Sequence, residues 1–135
     1  MRTDKIIALL RFTLGATAFL AGADKFTNLL ADWEKYLAPI AERNLPMNSR
    51  DFMRLVGVIE MAVGALVLSG RTRLGGYIAS AWLLAISGNL LATGEYFDIA
   101  ARDVNMAAAA FALAELTRNR SRTQRALDGE VARAA

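Results

Sequence analysis

Four mostly apolar stretches of about 20 residues each are the feature that most limits how this chain can fold. They cover residues 6–26, 52–70, 74–93 and 99–117. A bilayer core about 30 Å thick is crossed by about 20 helical residues, so each stretch is long enough to be a transmembrane helix. The chain has 135 residues, of which 55% are apolar, and a soluble domain of this size would struggle to bury them. We therefore predict an all-α integral membrane protein.

The connections between these stretches predict how the helices are ordered. Residues 71–73 join the second stretch to the third, and residues 94–98 join the third to the fourth. Connections this short require antiparallel neighbours. The sequence therefore predicts a four-helix bundle with up-down-up-down topology over residues 1–117.

The first stretch has a second interpretation as a secretory signal. Arg2 and Lys5 precede an apolar run that ends near Ala21-Gly22-Ala23, a pattern typical of a cleavage site. Arg11 interrupts the apolar run, which is not typical of such a signal. We therefore predict that residues 6–26 are retained as the first helix.

Basic residues near the ends of the stretches predict the orientation in the membrane. The 71–73 connection holds two arginines in three residues and is therefore hard to translocate. We place both termini in the cytoplasm, in a multi-pass protein of the bacterial inner (cytoplasmic) membrane. The basic residues on the cytoplasmic side are then Arg2, Lys5, Arg71, Arg73, Arg118, Arg120, Arg122 and Arg125, and those on the other side are Lys25, Lys35, Arg43, Arg50, Arg54 and Arg102.

Residues 28–45, between the first two stretches, predict an interfacial helix on the outer leaflet. Apolar and aromatic residues recur there at helical spacing, and Trp33 and Tyr36 suit the headgroup region. Because Pro39 falls inside the run, we expect the helix to break near Ala38. A lid or a surface that docks a partner is the alternative interpretation of this segment.

Residues 118–135 predict a basic cytoplasmic tail. Four of the first eight residues are arginines among Asn, Ser, Thr and Gln. Such a segment is typical of a solvated flank that adheres weakly to anionic lipid. A tail that docks a partner is the alternative.

Ionisable residues at membrane depth are the candidate functional residues, because an unpaired charge there is unfavourable by several kcal/mol. Arg11 lies on a narrow helical face with Gly15, Ala18, Gly22 and Lys25, and Glu60 lies between Gly57 and Gly64. At 1.5 Å per residue Arg11 lies about 8 Å and Glu60 about 15 Å from the inner edge, a gap that an arginine side chain can bridge. We predict an intramembrane pair of Arg11 and Glu60. It either fixes the helix register or forms a site for a headgroup, a proton or a quinone.

A second set of polar residues is predicted just beneath the outer surface. Lys25, Asn89 and Asp103 all fall about 22 to 28 Å from the inner edge at the same rise per residue, so we expect them to converge. Asn89 alone is typical of an interhelical hydrogen bond. Asp103 alone is typical of a local pair with Arg102 or of a helix start. Asp24 and Arg102 are secondary candidates, with Asp24 turned toward the interfacial segment or water.

The chain contains neither cysteine nor histidine, which excludes several chemistries that would use its own side chains. Disulfides, thiol relays, histidine-ligated haem, zinc sites and thiolate-held iron–sulfur clusters are among them. We predict no metal site and no cofactor bound by the chain's own ligands, which leaves a quinone or lipid as the candidate ligand. The net charge of +3 is small and scattered, so nucleic acid is not an expected partner.

Several short motifs resemble those of the DoxX-like membrane proteins. They are Leu10-Arg11-Phe12 with Gly15, Gly22-Ala23-Asp24-Lys25-Phe26, Glu60 flanked by Gly57 and Gly64, and Arg102-Asp103 before an alanine-rich last helix. The likeness spans about residues 6 to 117. It implies a four-helix bacterial inner-membrane protein, associated in some members with quinone-linked oxidation of sulfur compounds or with membrane redox complexes.

The leading functional hypothesis is a non-catalytic accessory or anchoring subunit of a larger membrane redox or respiratory-type complex. The missing cofactor ligands and the faces of small residues favour it. The expected partners are membrane lipid and either other membrane subunits or further copies of the chain. No nucleophile motif indicates an enzyme. The alternatives are a quinone-interacting oxidoreductase subunit that uses Glu60 or Asp103 as proton carrier, and a conductor of protons or small solutes.

Overall fold

The computed structural model describes residues 2–134, and this part of the chain is all helical. It contains five α-helices and one short 3₁₀ helix, and no strand. The α-helices are α1 (Arg2–Asp24), α2 (Pro39–Asn44), α3 (Ser49–Leu68), α4 (Thr72–Ala92) and α5 (Phe97–Ala134), and the 3₁₀ helix is Trp33–Tyr36. The predicted all-α class is confirmed.

Two predicted segments differ from the structure. Residues 28–45 break at Leu37 and Ala38, which are extended, as expected near Ala38, but the part before the break is a turn and a 3₁₀ helix and not an α-helix. Pro39 is the first residue of α2, where its missing N–H leaves no helical hydrogen bond unmade. The predicted end of the last helix at residue 117 is also corrected, because α5 continues to Ala134. Arginine, alanine and leucine, which favour helices, fill much of that extension.

The four long helices pack as two close pairs. α1 packs along α3 and α4 packs along α5, while smaller contacts of α3 with α4 and of α1 with α5 join the pairs. Residues 69–71 make the turn between α3 and α4, so these helices run antiparallel. The core where the pairs meet consists of Ile7, Val63, Val67, Ala79, Ala110 and Leu113.

Glycines set the distance between α1 and α3. A Cβ placed on Gly22 would lie 2.5 Å from the Gly57 carbonyl oxygen, and one on Gly64 would lie 2.7 Å from the Gly15 carbonyl oxygen. Any larger residue would therefore push the backbones apart. These contacts also fix the register, because they place Gly22 beside Gly57 and Gly15 beside Gly64.

Apolar side chains cover much of the outside of the helices. Leu9, Phe12 and Leu20 of α1 are 62 to 68% exposed, and Leu84 and Leu91 of α4 are both 52% exposed. Among the described helices, α1 and α4 are long and apolar enough to cross a membrane. α3 and α5 do not meet this criterion. α3 contains Asp51, Arg54 and Glu60, and the uncharged residues 104–114 of α5 are flanked by Arg102 and Asp103 on one side and by Glu115 on the other. The predicted four spans are therefore not established by helix composition.

Candidate functional site: a buried ion pair beneath the first loop

A buried ion pair joins the outer end of α1 to the middle of α3. Lys25, the residue after α1, donates from Nζ to Oε2 of Glu60 at 2.6 Å. The two side chains are only 5% and 9% exposed. Each residue lies three positions after a glycine of the closest backbone contact, Gly22 and Gly57 respectively. Because α1 and α3 run antiparallel, the two residues lie on opposite sides of this contact, Lys25 beside Gly57 and Glu60 beside Gly22. The long lysine side chain spans the distance between them.

Trp33 covers the ammonium on the side of the loop. Lys25 Nζ lies 3.7 Å from the centroid of the Trp33 ring, within the range of a cation–π interaction. The indole N–H of Trp33 donates to Oδ2 of Asp24 at 2.8 Å. The face of the Trp33 ring thus contacts Lys25, and the hydrogen bond from its edge to Asp24 fixes the position of the ring.

Asp24 organises the turn that leads to Trp33. Its carboxylate accepts hydrogen bonds from the backbone N–H groups of Leu29 at 2.9 Å and Leu30 at 3.0 Å, and from the Thr27 hydroxyl at 3.0 Å. Asn28 lies between them with a φ of +51°, a left-handed conformation that asparagine tolerates. One buried carboxylate therefore satisfies four donors and fixes the start of the loop.

Asn89 of α4 fastens the far side of the same loop. Its side-chain oxygen accepts from the backbone N–H of Ala38 at 3.0 Å, and its amide nitrogen donates to the carbonyl of Tyr36 at 2.6 Å. Leu37 and Ala38 are buried, so this stretch of loop packs against the helices. The segment predicted to lie on the outer leaflet is therefore held over the ion pair by α1 and by α4.

Asp103 and Trp82 bring further polar groups toward Glu60. Asp103 is buried and accepts from Arg102 through its Nε and one terminal nitrogen, both at 3.1 Å, and it lies within electrostatic range of Glu60. The indole N–H of Trp82 is buried without a hydrogen-bond partner among residues 2–134. The helical interior therefore contains polar groups besides the ion pair.

The structure does not bring Arg11 to Glu60, so the predicted partner of Glu60 is corrected from Arg11 to Lys25. Arg11 is exposed and makes no ion pair in residues 2–134. The depth estimate assumed that both helices begin at the same inner edge. Glu60 instead lies at the level of Gly22, which is 11 residues or about 16 Å along α1 from Arg11.

The predicted outer cluster is also divided among different partners. Lys25 binds Glu60, Asn89 binds the loop, and Asp103 binds Arg102. The sequence reasoning missed the role of Trp33, which it assigned to the headgroup region. The equal seven-residue spacing of Gly15 and Gly22 in α1 and of Gly57 and Gly64 in α3, matched in antiparallel order, was the signal that could have placed Lys25 near Glu60. Among the described residues, no group of acidic side chains could hold a metal ion.

The fold and the site together define a class, an all-α protein with an apolar exterior and a charged pair sealed between two helices. A family model, described as methylamine utilisation protein MauE, matches residues 3–94. The chain belongs to this family, whose members are membrane-associated. The resemblance to the DoxX-like proteins is therefore wrong. No curated protein and no solved structure matches the chain.

Proposed function

We propose that this protein is a non-catalytic accessory subunit of a membrane-bound methylamine-utilisation system. Membership of the family supports the system, and the state of the polar residues supports the accessory role. Lys25 and Glu60 bind each other beneath Trp33, while Asp24 and Asn89 bind the backbone of the loop. Their polar groups hold the fold together and are not presented to a substrate. This enclosed arrangement is the observation that carries the proposal.

Four membrane-spanning helices are part of the same proposal, with both termini in the cytoplasm. The charges of α3 that argue against a span fall into two groups. Asp51 and Arg54 lie in its first two turns, where they meet the outer surface, and Glu60 is paired with Lys25. A buried charge with its counter-charge is far less unfavourable in a membrane than a single one. Arg71 in the α3–α4 turn and Arg73 in the first turn of α4 support a cytoplasmic location for that turn.

Lipid is the ligand class that the surface of α3 favours. Ala62, Ala65 and Ser69 line a shallow, open depression on the surface of α3, and Arg71 lies at its edge. Small side chains make room for an acyl chain, and a guanidinium suits a phosphate. Nothing comparable in residues 2–134 favours a quinone over a lipid.

Deletion of the gene in a host that grows on methylamine tests the function. Growth on methylamine should stop while growth on a multicarbon substrate continues, and the wild-type gene should restore it. Purification in mild detergent should yield further membrane polypeptides in constant ratio. Unchanged growth on methylamine, or a turnover reaction by the isolated protein alone, would overturn the proposal.

A further inference from the structure

The second half of α5 extends far beyond the four-helix core. Its last 17 residues, 118–134, continue the helix without a break, and all of them from Asn119 onward are exposed. At 1.5 Å per residue this extension is about 25 Å long. We call residues 118–134 the basic arm.

One face of the basic arm carries a row of arginines. At 100° per residue, Arg118, Arg122, Arg125 and Arg133 fall within an arc of about 80°. The two carboxylates of the arm lie at least about 60° outside that arc, and Asp128 accepts a hydrogen bond from Gln124 at 3.1 Å. With five arginines and two carboxylates, the arm has a net charge of +3, which equals the net charge of the whole chain.

The rest of the described chain contacts only the start of the arm, where Arg120 pairs with Asp4 of α1 at 3.0 Å. Arg118 binds Glu115, whereas Arg122, Arg125 and Arg133 make no ion pair within residues 2–134. On the opposite face, Leu127 is 51% and Val131 is 69% exposed. An apolar stripe one turn long and a basic face together are typical of a helix that binds a partner.

Distances decide between a membrane surface and a protein as the partner. If Thr117 marks the edge of the hydrocarbon, Arg122, Arg125 and Arg133 lie about 7, 12 and 24 Å beyond it. The headgroup layer is only about 5 to 7 Å thick, and screening limits interactions with it to about 8 Å more at physiological salt. Anionic lipid therefore reaches Arg122 and Arg125 but not Arg133, which leaves the end of the arm to a protein partner.

We propose that the basic arm binds a carboxylate-rich segment of a protein on the same side of the membrane. The inference rests on the proposed membrane embedding of the first half of α5. Carboxylates of the partner pair with Arg122, Arg125 and Arg133, and an apolar residue of the partner covers Leu127 and Val131. An arm of this kind would join the accessory subunit to a soluble or peripheral component.

A binding experiment with a defined probe tests the arm. The probe is a fluorescent peptide of about 16 residues, mostly Glu with Leu at every fourth position, which matches the arm in length as a helix. The protein is placed in nanodiscs of phosphatidylcholine at about 50 mM salt, where screening is weak, and anisotropy reports binding. The wild type should bind, and Arg125→Glu with Arg133→Glu should weaken binding at least about tenfold.

The matched control is Arg2→Glu with Arg73→Glu, which makes the same change of charge on the same side of the membrane and leaves Arg71 in place. Both control residues are exposed, so this variant should bind within about twofold of the wild type if the arm is the site. Equal losses in the two variants, or no binding by the wild type, would overturn the inference.

A label at Ala132→Cys separates lipid from protein. A bimane there should stay unquenched by headgroup spin labels in phosphatidylglycerol nanodiscs, and strong quenching would show that the arm lies on the bilayer and would overturn the inference. Failure to enter nanodiscs would instead contradict the proposed membrane embedding. Entry into nanodiscs without peptide binding would contradict only the proposed binding role of the basic arm.

Discussion

The ammonium of Lys25 meets two partners inside the protein, the Glu60 carboxylate at 2.6 Å and the Trp33 ring at 3.7 Å from its centroid. Desolvation of two charges opposes folding, and the short ion pair and the ring offset it only while all three groups are in place. The pair is therefore a strong constraint on register. Loss of one partner leaves a charge that neither water nor protein satisfies.

Single and double substitutions of the pair should have opposite consequences. Glu60→Gln leaves the buried ammonium without its counter-charge and should lower the free energy of unfolding by about 3 to 5 kcal/mol. Lys25→Met combined with Glu60→Gln removes both charges and should recover much of that loss. The measurement is unfolding in detergent followed by circular dichroism. Strictly additive losses, with a coupling below about 0.5 kcal/mol, would show that the two side chains do not interact.

Arg11 provides the contrasting case on the same helix. It is exposed and makes no ion pair in residues 2–134, so Arg11→Gln should change the free energy of unfolding by less than about 0.5 kcal/mol. The same unfolding experiment on Arg11→Gln with Glu60→Gln should give the sum of the single effects. A loss of several kcal/mol from Arg11→Gln would instead revive Arg11 as a partner inside the bundle.

At the scale of elements, the contact of α1 with α3 depends on glycines that leave no room for a methyl group. Gly22→Ala would place its Cβ 2.5 Å from the Gly57 carbonyl oxygen, and the helices must separate to accept it. Overpacking of this kind typically destabilises by about 1 to 3 kcal/mol. It should also lengthen the ion pair, since Lys25 follows Gly22 by less than one turn.

Gly88→Ala in α4 is the matched control for this prediction. Gly88 is also within a helix, but a Cβ there meets no atom within 4 Å, so the change should be neutral or stabilise by up to about 1 kcal/mol. Thermal unfolding of the two variants in one detergent compares them directly. If both glycines behaved alike, helix propensity and not backbone contact would explain the result.

The sequence predicted elements better than it predicted their register. Hydropathy located α1, α3, α4 and the first half of α5, because a bilayer-length apolar run is a local property. It could not show that α1 begins well before the level at which α3 ends, and this offset moved the partner of Glu60 from Arg11 to Lys25. Nor could it show the loop contacts of Trp33 and Asn89. Asn89, for example, binds the backbone of a residue more than 50 positions earlier in the chain.

At the scale of the whole molecule, the short motifs that resembled DoxX-like proteins are features that many helical membrane proteins need. Glycines at helix contacts and a paired charge between them follow from packing in lipid and do not define one family. The residues concerned, Gly22, Lys25, Gly57 and Glu60, are real parts of the site. They include residues that contact one another in the structure, but they identified the family incorrectly, because the match over residues 3–94 is to MauE.

The topology of the whole chain can be tested with single cysteines, since the wild type has none. Gly70 lies in the α3–α4 turn with open space around its Cβ position, and Asn44 is exposed at the end of α2. With both termini in the cytoplasm, Gly70→Cys should be protected from an impermeant maleimide in intact cells, and Asn44→Cys should react. Both should react after the cells are permeabilised, which controls for accessibility.

Ala132→Cys in the basic arm should behave as Gly70→Cys does, because α5 returns the chain to that side. Labelling of Gly70→Cys and Ala132→Cys in intact cells, with Asn44→Cys protected, would reverse the orientation. Labelling of Gly70→Cys with Ala132→Cys protected would mean that the four helices do not all cross.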